Sequence, residues 1–294
     1  MSFRANSLCD VKNIVYYKKG NRGGMSRRQL HTIPYNRQNV SQTGEKINVL
    51  LGVIGDIHGN IDALRAVVAE LQRLAVDDVL CAGDVVGYGG APGECIDFLR
   101  ENKIASVCGN HDFFTLHADL DNEGIREEAV KVFEWNRKVL TNNQMEWLDS
   151  LPMVLESPRL HYQVRHASCQ PFPNWGYVIS EHSAALHFMF QSSRVCFNGH
   201  SHVPIIAFHT QGEHVNFQRL SGLVNLPPDH SVLVGVGSVG QPRDGDNRAC
   251  GVVYDTNAHS VYLFRVPYDI DAAQRRIYAA HLPNFLAERL SVGR

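Results

Sequence analysis

Residues 47–60 read INVLLGVIGDIHGN, and this stretch carries the strongest structural signal in the chain. Residues 47–54 form a nearly continuous apolar run, which is typical of a β-strand buried on both faces. The polar segment GDIHGN follows directly, at residues 55–60. Open α/β sheets bind their ligands beyond the carboxyl ends of the strands. We therefore expect this strand to deliver Asp56 and His58 to one edge of a sheet.

Strand and helix signals alternate downstream of this stretch. Asn60 is a helix-capping residue type, and apolar side chains recur at helical spacing over residues 61–74. Apolar and amphipathic patterns then predict a strand over residues 76–81, a helix over 92–101 and a strand over 104–108. A βαβαβ order of this kind predicts a parallel sheet with right-handed crossovers.

The later part of the chain predicts a second set of elements. We expect two helices within residues 123–150, a hairpin of residues 154–156 and 160–164, a helix over 181–191 and a strand over 194–197. Short strands separated by turns follow at residues 205–208, 215–217, 231–236, 252–254 and 261–266, and helices at 269–280 and 284–290. The short strands predict a mostly antiparallel second sheet, within one domain of residues 47–294.

The composition limits the class of protein. The chain has 294 residues, of which 44% are hydrophobic and 20% charged, which is enough to bury a large core. The net charge of −2 argues against a protein held to nucleic acid mainly by phosphate contacts. No apolar run approaches the roughly 20 residues that span a bilayer, so an integral membrane protein is excluded.

Seven cysteines are scattered along the chain without a CxxC pair: Cys9, Cys81, Cys95, Cys108, Cys169, Cys196 and Cys250. Their odd number and wide spacing predict neither a disulfide framework nor a cysteine zinc site. Several lie in apolar stretches, where cysteine behaves as a small buried hydrophobic residue. We expect the reducing cytoplasm to be the compartment of this protein.

Residues 1–46 differ from the rest of the chain. They hold nine Lys and Arg residues against two acidic ones and show no sustained periodicity. This composition predicts a disordered basic tail. Two alternatives stay open: translation that begins at Met25, and an Arg-rich organelle transit peptide.

Five short polar motifs each follow an apolar strand: GDIHGN at residues 55–60, GD at 83–84, GNHD at 109–112, HAS at 166–168 and GHSH at 199–202. Their Asp, Asn and His side chains are oxygen and imidazole ligands, which suit divalent metals. Six or seven such ligands are too many for one catalytic ion and suit two ions roughly 3.5–4 Å apart. Asp84 is the candidate bridge between the ions, because it is the only acidic residue in its motif.

The ordered set GDIHGN, GDVVGYG, GNHD, HAS and GHSH resembles the calcineurin-like metallophosphoesterase superfamily over about residues 47–267. The segment GSVGQPRDGDNRACGVVYD, residues 237–255, resembles the compact bacterial and archaeal branch of phosphodiesterase- and phosphatase-like proteins. The resemblance implies a four-layer α/β/β/α sandwich of two mixed sheets. It also implies a dimetal site at the carboxyl ends of the strands.

The resemblance further implies two ligand sets and a catalytic histidine. The first metal would be held by Asp56, His58, Asp84 and His202, and the second by Asp84, Asn110, His166 and His200. His111 would be the catalytic histidine beside the leaving group. The nitrogen and oxygen ligands leave the identity of the two divalent ions open among manganese, iron, zinc and nickel.

The chain departs from the serine/threonine protein phosphatases of this superfamily, which carry an Asp-Arg pair where it has Gly87 and Tyr88. The departure argues against a dedicated protein phosphatase of that branch. Asp112 is a candidate to orient His111 instead. Arg243 is a candidate substrate-binding residue, because a guanidinium group suits phosphate oxygens. The alternative for Arg243 is a surface arginine in a turn.

These features predict a metal-dependent phosphoesterase that hydrolyses a phosphomonoester or phosphodiester by in-line attack of a metal-bridging hydroxide. His111 would protonate the leaving oxygen. The aromatic loop of residues 170–177, which contains Trp175, would wall the substrate pocket. The expected substrate is a small phosphoester, a nucleotide or a phosphoprotein, with no membrane or nucleic-acid partner. The alternative is a protein-interaction or scaffold module without turnover, against which the complete ligand set argues.

Overall fold

The computed structural model describes residues 15–19, 25–29, 48–118, 126–172 and 174–294. Among the first 46 residues, β1 (Val15–Lys19) and β2 (Met25–Gln29) pair as an antiparallel ribbon, which the sequence did not predict. The rest of that segment lies outside the described residues. The disordered tail, its boundary at residue 47 and the two alternatives for the start of the chain therefore stay predictions.

The first of two six-stranded sheets, sheet I, contains the strand of the opening motif. Its order is β11 (Leu223–Asn225), β14 (Ser260–Val266), β13 (Ala249–Asp255), β3 (Leu50–Ile54), β4 (Asp78–Cys81) and β5 (Ala105–Ser106). The strands β3, β4 and β5 are parallel, as predicted. The strand β13 runs antiparallel to both β3 and β14, so the sheet is mixed.

The second sheet, sheet II, is built from the middle of the chain. Its order is β10 (Asn216–Arg219), β9 (Pro204–His209), β12 (Ser231–Val236), β8 (Val195–Asn198), β7 (Tyr162–Val164) and β6 (Leu155–Ser157). The strands β12, β8 and β7 are parallel to one another, and the outer strands on both sides are antiparallel.

Eight α-helices and one short 3₁₀ helix accompany the sheets in the described part of the chain. They are α1 (Ile61–Arg73), α2 (Pro92–Glu101), α3 (Asn110–Leu116), α4 (Glu127–Val139), α5 (Asn142–Asp149), α6 (Glu181–Phe188), α7 (Ile270–Ala279), α8 (Asn284–Glu288) and the 3₁₀ helix Arg289–Val292. Across the described residues, the helices are too short or too polar to cross a membrane.

The apolar residues of β3 explain why the two sheets stack. Leu51 and Val53 lie in the core between the sheets, together with residues such as Val234 of β12. Ile54 faces the other way and packs with the apolar face of α1. Residues that alternate between two buried faces produce the continuous apolar run seen in the sequence.

Helices cover the outer faces of both sheets and complete a four-layer sandwich. The helices α1, α2 and α5 supply apolar residues to the core on the outer side of sheet I. Ala184 of α6 packs with Ala207 and Leu233 on the outer side of sheet II. The predicted fold class, an α/β/β/α sandwich of two mixed sheets, is therefore confirmed.

The assignment of late strands to sheets differs from the prediction. We expected the short strands after residue 200 to form a second sheet of their own. Instead β13 and β14 join sheet I, beside β3, while β9 and β12 join sheet II, beside β8. Local alternation predicts a strand but not its partner, because strand pairing depends on residues far away in the sequence. The helix α3 and the strand β11 were not predicted.

Candidate metal centre

The five polar motifs meet where the carboxyl ends of strands from both sheets come together. Sheet I contributes the residues after β3, β4 and β5, and sheet II those after β7 and β8. All seven predicted ligands lie there, with Asn110 half-buried and the others no more than 5% exposed: Asp56, His58, Asp84, Asn110, His166, His200 and His202.

The first group of side chains surrounds the Nε2 atom of His58. This nitrogen lies 3.0 Å from Nε2 of His202, 3.9 Å from Oδ1 of Asp56 and 3.5 Å from Oδ2 of Asp84. His202 Nε2 in turn lies 3.4 Å from Asp56 Oδ1. Two imidazole nitrogens and two carboxylates therefore face one small space.

The second group surrounds the Nε2 atom of His166. It lies 2.9 Å from Oδ1 of Asn110, 3.1 Å from Nδ1 of His200 and 3.3 Å from Oδ2 of Asp84. The Oδ2 atom of Asp84 thus faces a histidine of each group, His58 and His166. Each group contains at least three side chains whose ligand atoms lie close enough together to hold one metal ion.

Backbone carbonyls orient three of the four histidines. His202 Nδ1 donates to the carbonyl of Gln241 (2.6 Å), and His166 Nδ1 donates to that of Ala82 (2.8 Å). His200 uses its other nitrogen, Nε2, to donate to the carbonyl of Trp175 (2.9 Å). In a neutral imidazole the second nitrogen then carries a lone pair. In their neutral forms all three rings therefore direct a lone pair into the site, as in metal-binding histidines held by outer hydrogen bonds.

The backbone of the site adopts a conformation that is uncommon for residues other than glycine. Asp56 and His58 have φ angles of 51° and 49°, Asp84 of 53°, and His200 and His202 of 65° and 59°. Left-handed backbone costs of order 1–3 kcal/mol at a non-glycine residue and is concentrated at functional sites. Five strained residues lie close together here, so the surrounding structure must hold these side chains in place at a cost in local backbone stability.

Two glycines allow the backbone to approach the carboxylates. A Cβ atom on Gly109 would collide with Oδ1 and the backbone nitrogen of Asp84, and one on Gly199 would collide with Oδ2 of Asp56. The same Asp56 carboxylate accepts the backbone N–H of His200 with both oxygens (2.9 and 3.0 Å). Glycine at these two positions is therefore needed for the close packing of backbone and carboxylate.

Burial and mutual charge control protonation in the site. Burial lowers the pKa of His58 and His202 well below the usual range and that of His200 to about 3, so these rings are neutral at neutral pH. Burial works against ionisation of Asp84, but the charges of His166 and His111 outweigh it and hold the Asp84 pKa at about 2. Burial likewise lowers the pKa of His166, yet Asp84 raises it to about 9.

These protonation states fit a cationic ligand. Neutral imidazoles and an ionised carboxylate are the forms that bind metals. Asp84 stabilises a proton on Nε2 of His166, and a bound cation would take the place of that proton between the two side chains. The other ring nitrogen of His166, Nδ1, already donates to the carbonyl of Ala82. The donor set of carboxylate, imidazole and amide oxygens, without thiolate, suits divalent ions such as manganese, iron, zinc and nickel.

His111 lies at the rim of the first group. Its ring packs edge-on against His58 (4.7 Å between ring centres) and Phe133 (5.0 Å), and it is 5% exposed. Burial lowers its pKa to about 4. Its Nδ1 atom is buried and has no hydrogen-bond partner among the described residues. A side-chain atom at Gly87 would press on this nitrogen (2.9 Å), so glycine there keeps the space open.

Asp112 does not orient His111. Its Oδ1 accepts the backbone N–H of Val86 (3.0 Å), and its Oδ2 accepts that of Gly109 (2.9 Å) at the start of α3. Both oxygens are thus used to cap the helix and to hold the loop after Asp84. The suggestion that Asp112 replaces the missing phosphatase aspartate is therefore wrong.

Arg243 lies beside the site rather than in a remote surface turn. Its guanidinium group packs over the ring of Tyr88 (5.6 Å), which itself touches His58 and His111 at 4.6 and 4.4 Å between ring centres. Arg243 donates to the side chain of Gln241 at 2.8 Å. Within the described residues it has no carboxylate partner, so its charge is available to an anion.

An aromatic wall covers the second group of ligands. Tyr177 stacks on the His200 ring with 3.9 Å between ring centres and a 15° angle, and it is 50% exposed. The Trp175 ring lies 5.9 Å from that of His166 and 5.9 Å from that of Phe172. Trp175 and Tyr177 both belong to the loop of residues 170–177 that was predicted to wall the pocket. Tyr88 was identified only as a departure from the protein phosphatases, and its contacts with His58 and His111 were not predicted.

Fold and site together define a phosphoester hydrolase of the metal-dependent type. Residues 49–259 match the family model of the calcineurin-like phosphoesterase superfamily domain, and the chain belongs to this family. It is accordingly a hydrolase that acts on phosphoester bonds, in a family that uses divalent metals.

Relatives of the chain include proteins of similar length. An uncharacterized protein of Methanocaldococcus jannaschii is 34% identical over 84% of this chain and 100% of its own length. The crystal structure of a metallophosphoesterase from Sphaerobacter thermophilus superposes with a TM-score of 0.72 and 31% identity, covering 84% of this chain and 99% of that one. A symmetrical bis(5'-nucleosyl)-tetraphosphatase of Actinobacillus pleuropneumoniae is 26% identical, but the match spans only 40% of this chain and 45% of that enzyme.

Proposed function

We propose that this protein is a phosphoesterase that hydrolyses a phosphomonoester or phosphodiester with two divalent metal ions. One observation carries the proposal: Asp84 Oδ2 lies 3.5 Å from His58 Nε2 and 3.3 Å from His166 Nε2. A carboxylate oxygen that faces two separate histidine groups is the arrangement expected of a bridging ligand in a two-metal site.

Each ion has a ligand set in this proposal. Asp56, His58, Asp84 and His202 would hold the first ion, and Asp84, Asn110, His166 and His200 would hold the second. When bound, such ions polarise phosphoryl oxygens and lower the pKa of bound water, which supplies the nucleophile for in-line attack at neutral pH. The carbonyls of Ala82, Trp175 and Gln241 keep the histidine lone pairs directed into the site.

His111 supplies the proton to the leaving oxygen. Burial lowers the pKa of His111 to about 4, so the ring is neutral until the negative charge of a bound phosphoester favours its protonated form. Its Nδ1 atom has no hydrogen-bond partner among the described residues. The backbone N–H of His111 donates to Asp84 Oδ1 at 2.8 Å, which fixes the start of α3 relative to the candidate bridge. Arg243 binds a phosphoryl oxygen from the side of Tyr88.

The substrate class that we favour is a small nucleotide or related phosphoester. Tyr177 stacks on His200, and Phe172 packs against Trp175 beside His166. Both Tyr177 and Phe172 are exposed, and exposed aromatic rings suit stacking with a base. Partial similarity to enzymes named bis(5'-nucleosyl)-tetraphosphatase supports the same class. A scaffold without turnover would require neither the complete ligand set nor a histidine poised at the leaving-group side.

The test compares p-nitrophenyl phosphate with bis-p-nitrophenyl phosphate, using metal-stripped protein reconstituted with Mn²⁺. Metal-dependent cleavage of the diester alone identifies a phosphodiesterase, and cleavage mainly of the monoester identifies a phosphatase. Diadenosine tetraphosphate and ATP then test the nucleotide class. Two bound ions with no cleavage of any of these compounds would contradict the proposed activity and favour the scaffold.

A further inference from the structure

A second cluster of reactive side chains lies under α6, on the outer side of sheet II. Cys169 follows His166 by three residues, and Cys196 on β8 precedes His200 by four. Their Sγ atoms are 3.8 Å apart, and the two residues are 4% and 0% exposed. Nothing in the proposed hydrolysis uses this pair.

Two side-chain donors besides Cys196 converge on the sulfur of Cys169. Gln163 Nε2 lies 3.0 Å from Cys169 Sγ, and His187 Nε2 lies 3.5 Å from it. Ser192 donates its hydroxyl to Gln163 Oε1, so the amide nitrogen is the end that faces the sulfur. Gln163 and Cys196 are register partners on β7 and β8, which fixes both groups in sheet II.

The tautomer of His187 follows from its second nitrogen. The backbone N–H of Cys169 donates to His187 Nδ1 at 3.1 Å, so Nδ1 accepts and a neutral ring carries its proton on Nε2. That proton faces Cys169 Sγ and Gln191 Oε1, which is 3.0 Å away. His187 is therefore a donor to the sulfur. It offers no lone pair to a metal at that nitrogen, which argues against a zinc site made of these three residues.

The two thiols are chemically unequal. The hydrogen bond from the Cys196 thiol lowers the pKa of Cys169 to about 5, since together with His187 and the charge of Arg165 it outweighs the burial that opposes ionisation. Burial and the neighbouring Cys169 raise the pKa of Cys196 well above its usual range. Burial raises the pKa of Cys81 and Cys250 to about 12, so those thiols are inert.

We propose that Cys169 and Cys196 form a redox-modification site whose co-substrate is a small hydroperoxide such as hydrogen peroxide. The Cys169 thiolate attacks one peroxide oxygen, the O–O bond breaks, and hydroxide leaves, so Cys169 becomes a sulfenic acid. The Cys196 sulfur then attacks the Cys169 sulfur, the S–O bond breaks, and the departing hydroxide takes the Cys196 proton as water. Two thiols lose two electrons to the peroxide, and one disulfide results.

The geometry permits this disulfide if one of the two segments that carry the cysteines moves. The sulfurs must approach from 3.8 Å to about 2.05 Å. Cys196 is held by strand pairing to both β7 and β12, whereas Cys169 lies in irregular backbone outside the sheets. The segment with Cys169 is therefore the part that shifts. The bond would join the segment that follows His166 to the strand that leads to His200.

The test exposes the full-length protein to hydrogen peroxide, quenches with acid and alkylates the remaining thiols after denaturation. Because alkylation follows denaturation, thiols that are buried in the folded protein are labelled as well. Peptide mapping then gives an oxidation rate for each cysteine. We expect Cys169 and Cys196 to be lost together, on the order of tenfold faster than Cys250 and Cys81, because the thiolate is the reactive form. A peptide pair linked through Cys169 and Cys196 should accumulate and should disappear with dithiothreitol.

Variants separate the two steps. Cys196→Ala removes one hydrogen bond to the Cys169 sulfur, so Cys169 should oxidise more slowly but stop at a sulfenic acid that dimedone captures. Ser192→Ala should slow the oxidation of Cys169 by releasing the Gln163 amide. Cys250→Ala is the matched control and should keep the linked pair. Oxidation of Cys169 no faster than that of Cys250 in the wild-type protein overturns the proposal. So does a tightly bound zinc ion that is retained in Asp84→Asn but lost in Cys169→Ser.

Discussion

The Nε2 atoms of His58 and His202 lie 3.0 Å apart, although the residues are separated by 144 positions and follow strands of different sheets. His202 directs a lone pair towards His58, because its other nitrogen donates to a carbonyl. Such a contact is stabilising only when a proton or a metal ion lies between the two nitrogens. The contact thus depends on how the two sheets are stacked. We expect a cation there to link the halves of the sandwich.

Metal binding should therefore stabilise the whole domain. An ion that binds only the folded state at a hundred times its dissociation constant adds about 2.7 kcal/mol, which raises the Tm of a domain of this size by roughly 5–10 °C. Thermal unfolding with EDTA and with Mn²⁺ measures the shift, and isothermal titration measures the number of ions. Two ions per chain and a rise in Tm are expected; a stoichiometry of one would exclude the dinuclear centre.

Asp84→Asn should lower both metal content and turnover. The substitution keeps the shape and an acceptor for the His111 backbone N–H, but it removes the charge that faces His58 and His166. We expect a loss of activity greater than the roughly 10–100-fold that follows removal of an outer contact in metal sites. Elemental analysis and steady-state kinetics provide the measurement.

The matched control for this substitution is Asp229→Asn, at an exposed position away from the motifs. It removes the same charge and should leave both the metal content and kcat unchanged. Normal metal stoichiometry together with normal turnover in Asp84→Asn would show that Asp84 does not bridge two ions.

His111→Ala should keep the metals and slow the chemical step. The ring contributes no ligand in the proposed sets, and general acid catalysis accounts for roughly 10²–10⁴-fold in rate. The loss should be largest for alkyl phosphoesters and smallest for p-nitrophenyl esters, whose leaving group needs little protonation. The control is His182→Ala, which removes an exposed histidine of α6. Equal losses for both kinds of ester would argue against a proton donor at this position.

Arg243→Ala should raise KM more than it lowers kcat. A hydrogen bond to a charged group contributes roughly 1.5–3 kcal/mol, so the weakening is on the order of tenfold to a hundredfold. Arg243→Lys should recover only part of it, because an ammonium group cannot form the paired contact. Arg275→Ala, an exposed arginine of α7, is the control. An unchanged KM for Arg243→Ala would show that Arg243 does not bind the substrate and would favour the alternative of a surface arginine in a turn.

The sequence predicted most of the candidate site because its chemistry is local. Each ligand lies within a short glycine-containing motif directly after an apolar run, and the ends of parallel strands meet. It did not predict α3, which begins at Asn110 immediately after β5. A signal was present, since Asp112 stands three residues after Gly109 and accepts its backbone N–H. That spacing marks the start of a helix.

Other features could not be predicted because they depend on distant parts of the chain. The strand β13 pairs with β3 through Val252 and Val53, a contact across almost 200 residues that no local pattern encodes. The carbonyls that orient the histidines belong to Ala82, Trp175 and Gln241, and a backbone carbonyl leaves no trace in residue identity. Left-handed backbone at Asp56 and four other ligand positions is likewise visible only in three dimensions.

Gly109→Ala tests whether close packing around Asp84 determines metal affinity in addition to the stability of the domain. Gly109 has φ −95° and ψ 174°, which alanine adopts without strain, so the cost arises only from the collision of Cβ with Asp84. Overpacking of this kind costs roughly 1–3 kcal/mol and should displace the Asp84 carboxylate. We expect a lower Tm and a loss of metal affinity, measured by thermal unfolding and by Mn²⁺ titration.

The control for Gly109→Ala is Gly212→Ala, in which the alanine meets backbone strain instead of a collision. Gly212 has φ 87° and nothing within 4 Å of a Cβ, so the alanine there meets backbone strain of roughly 1–2 kcal/mol but no collision. Both variants should therefore unfold at a lower temperature than the wild-type protein, while only Gly109→Ala should bind Mn²⁺ more weakly. Wild-type affinity in Gly109→Ala would mean that the position of the Asp84 carboxylate does not determine metal binding, and the assignment of the bridge would fail.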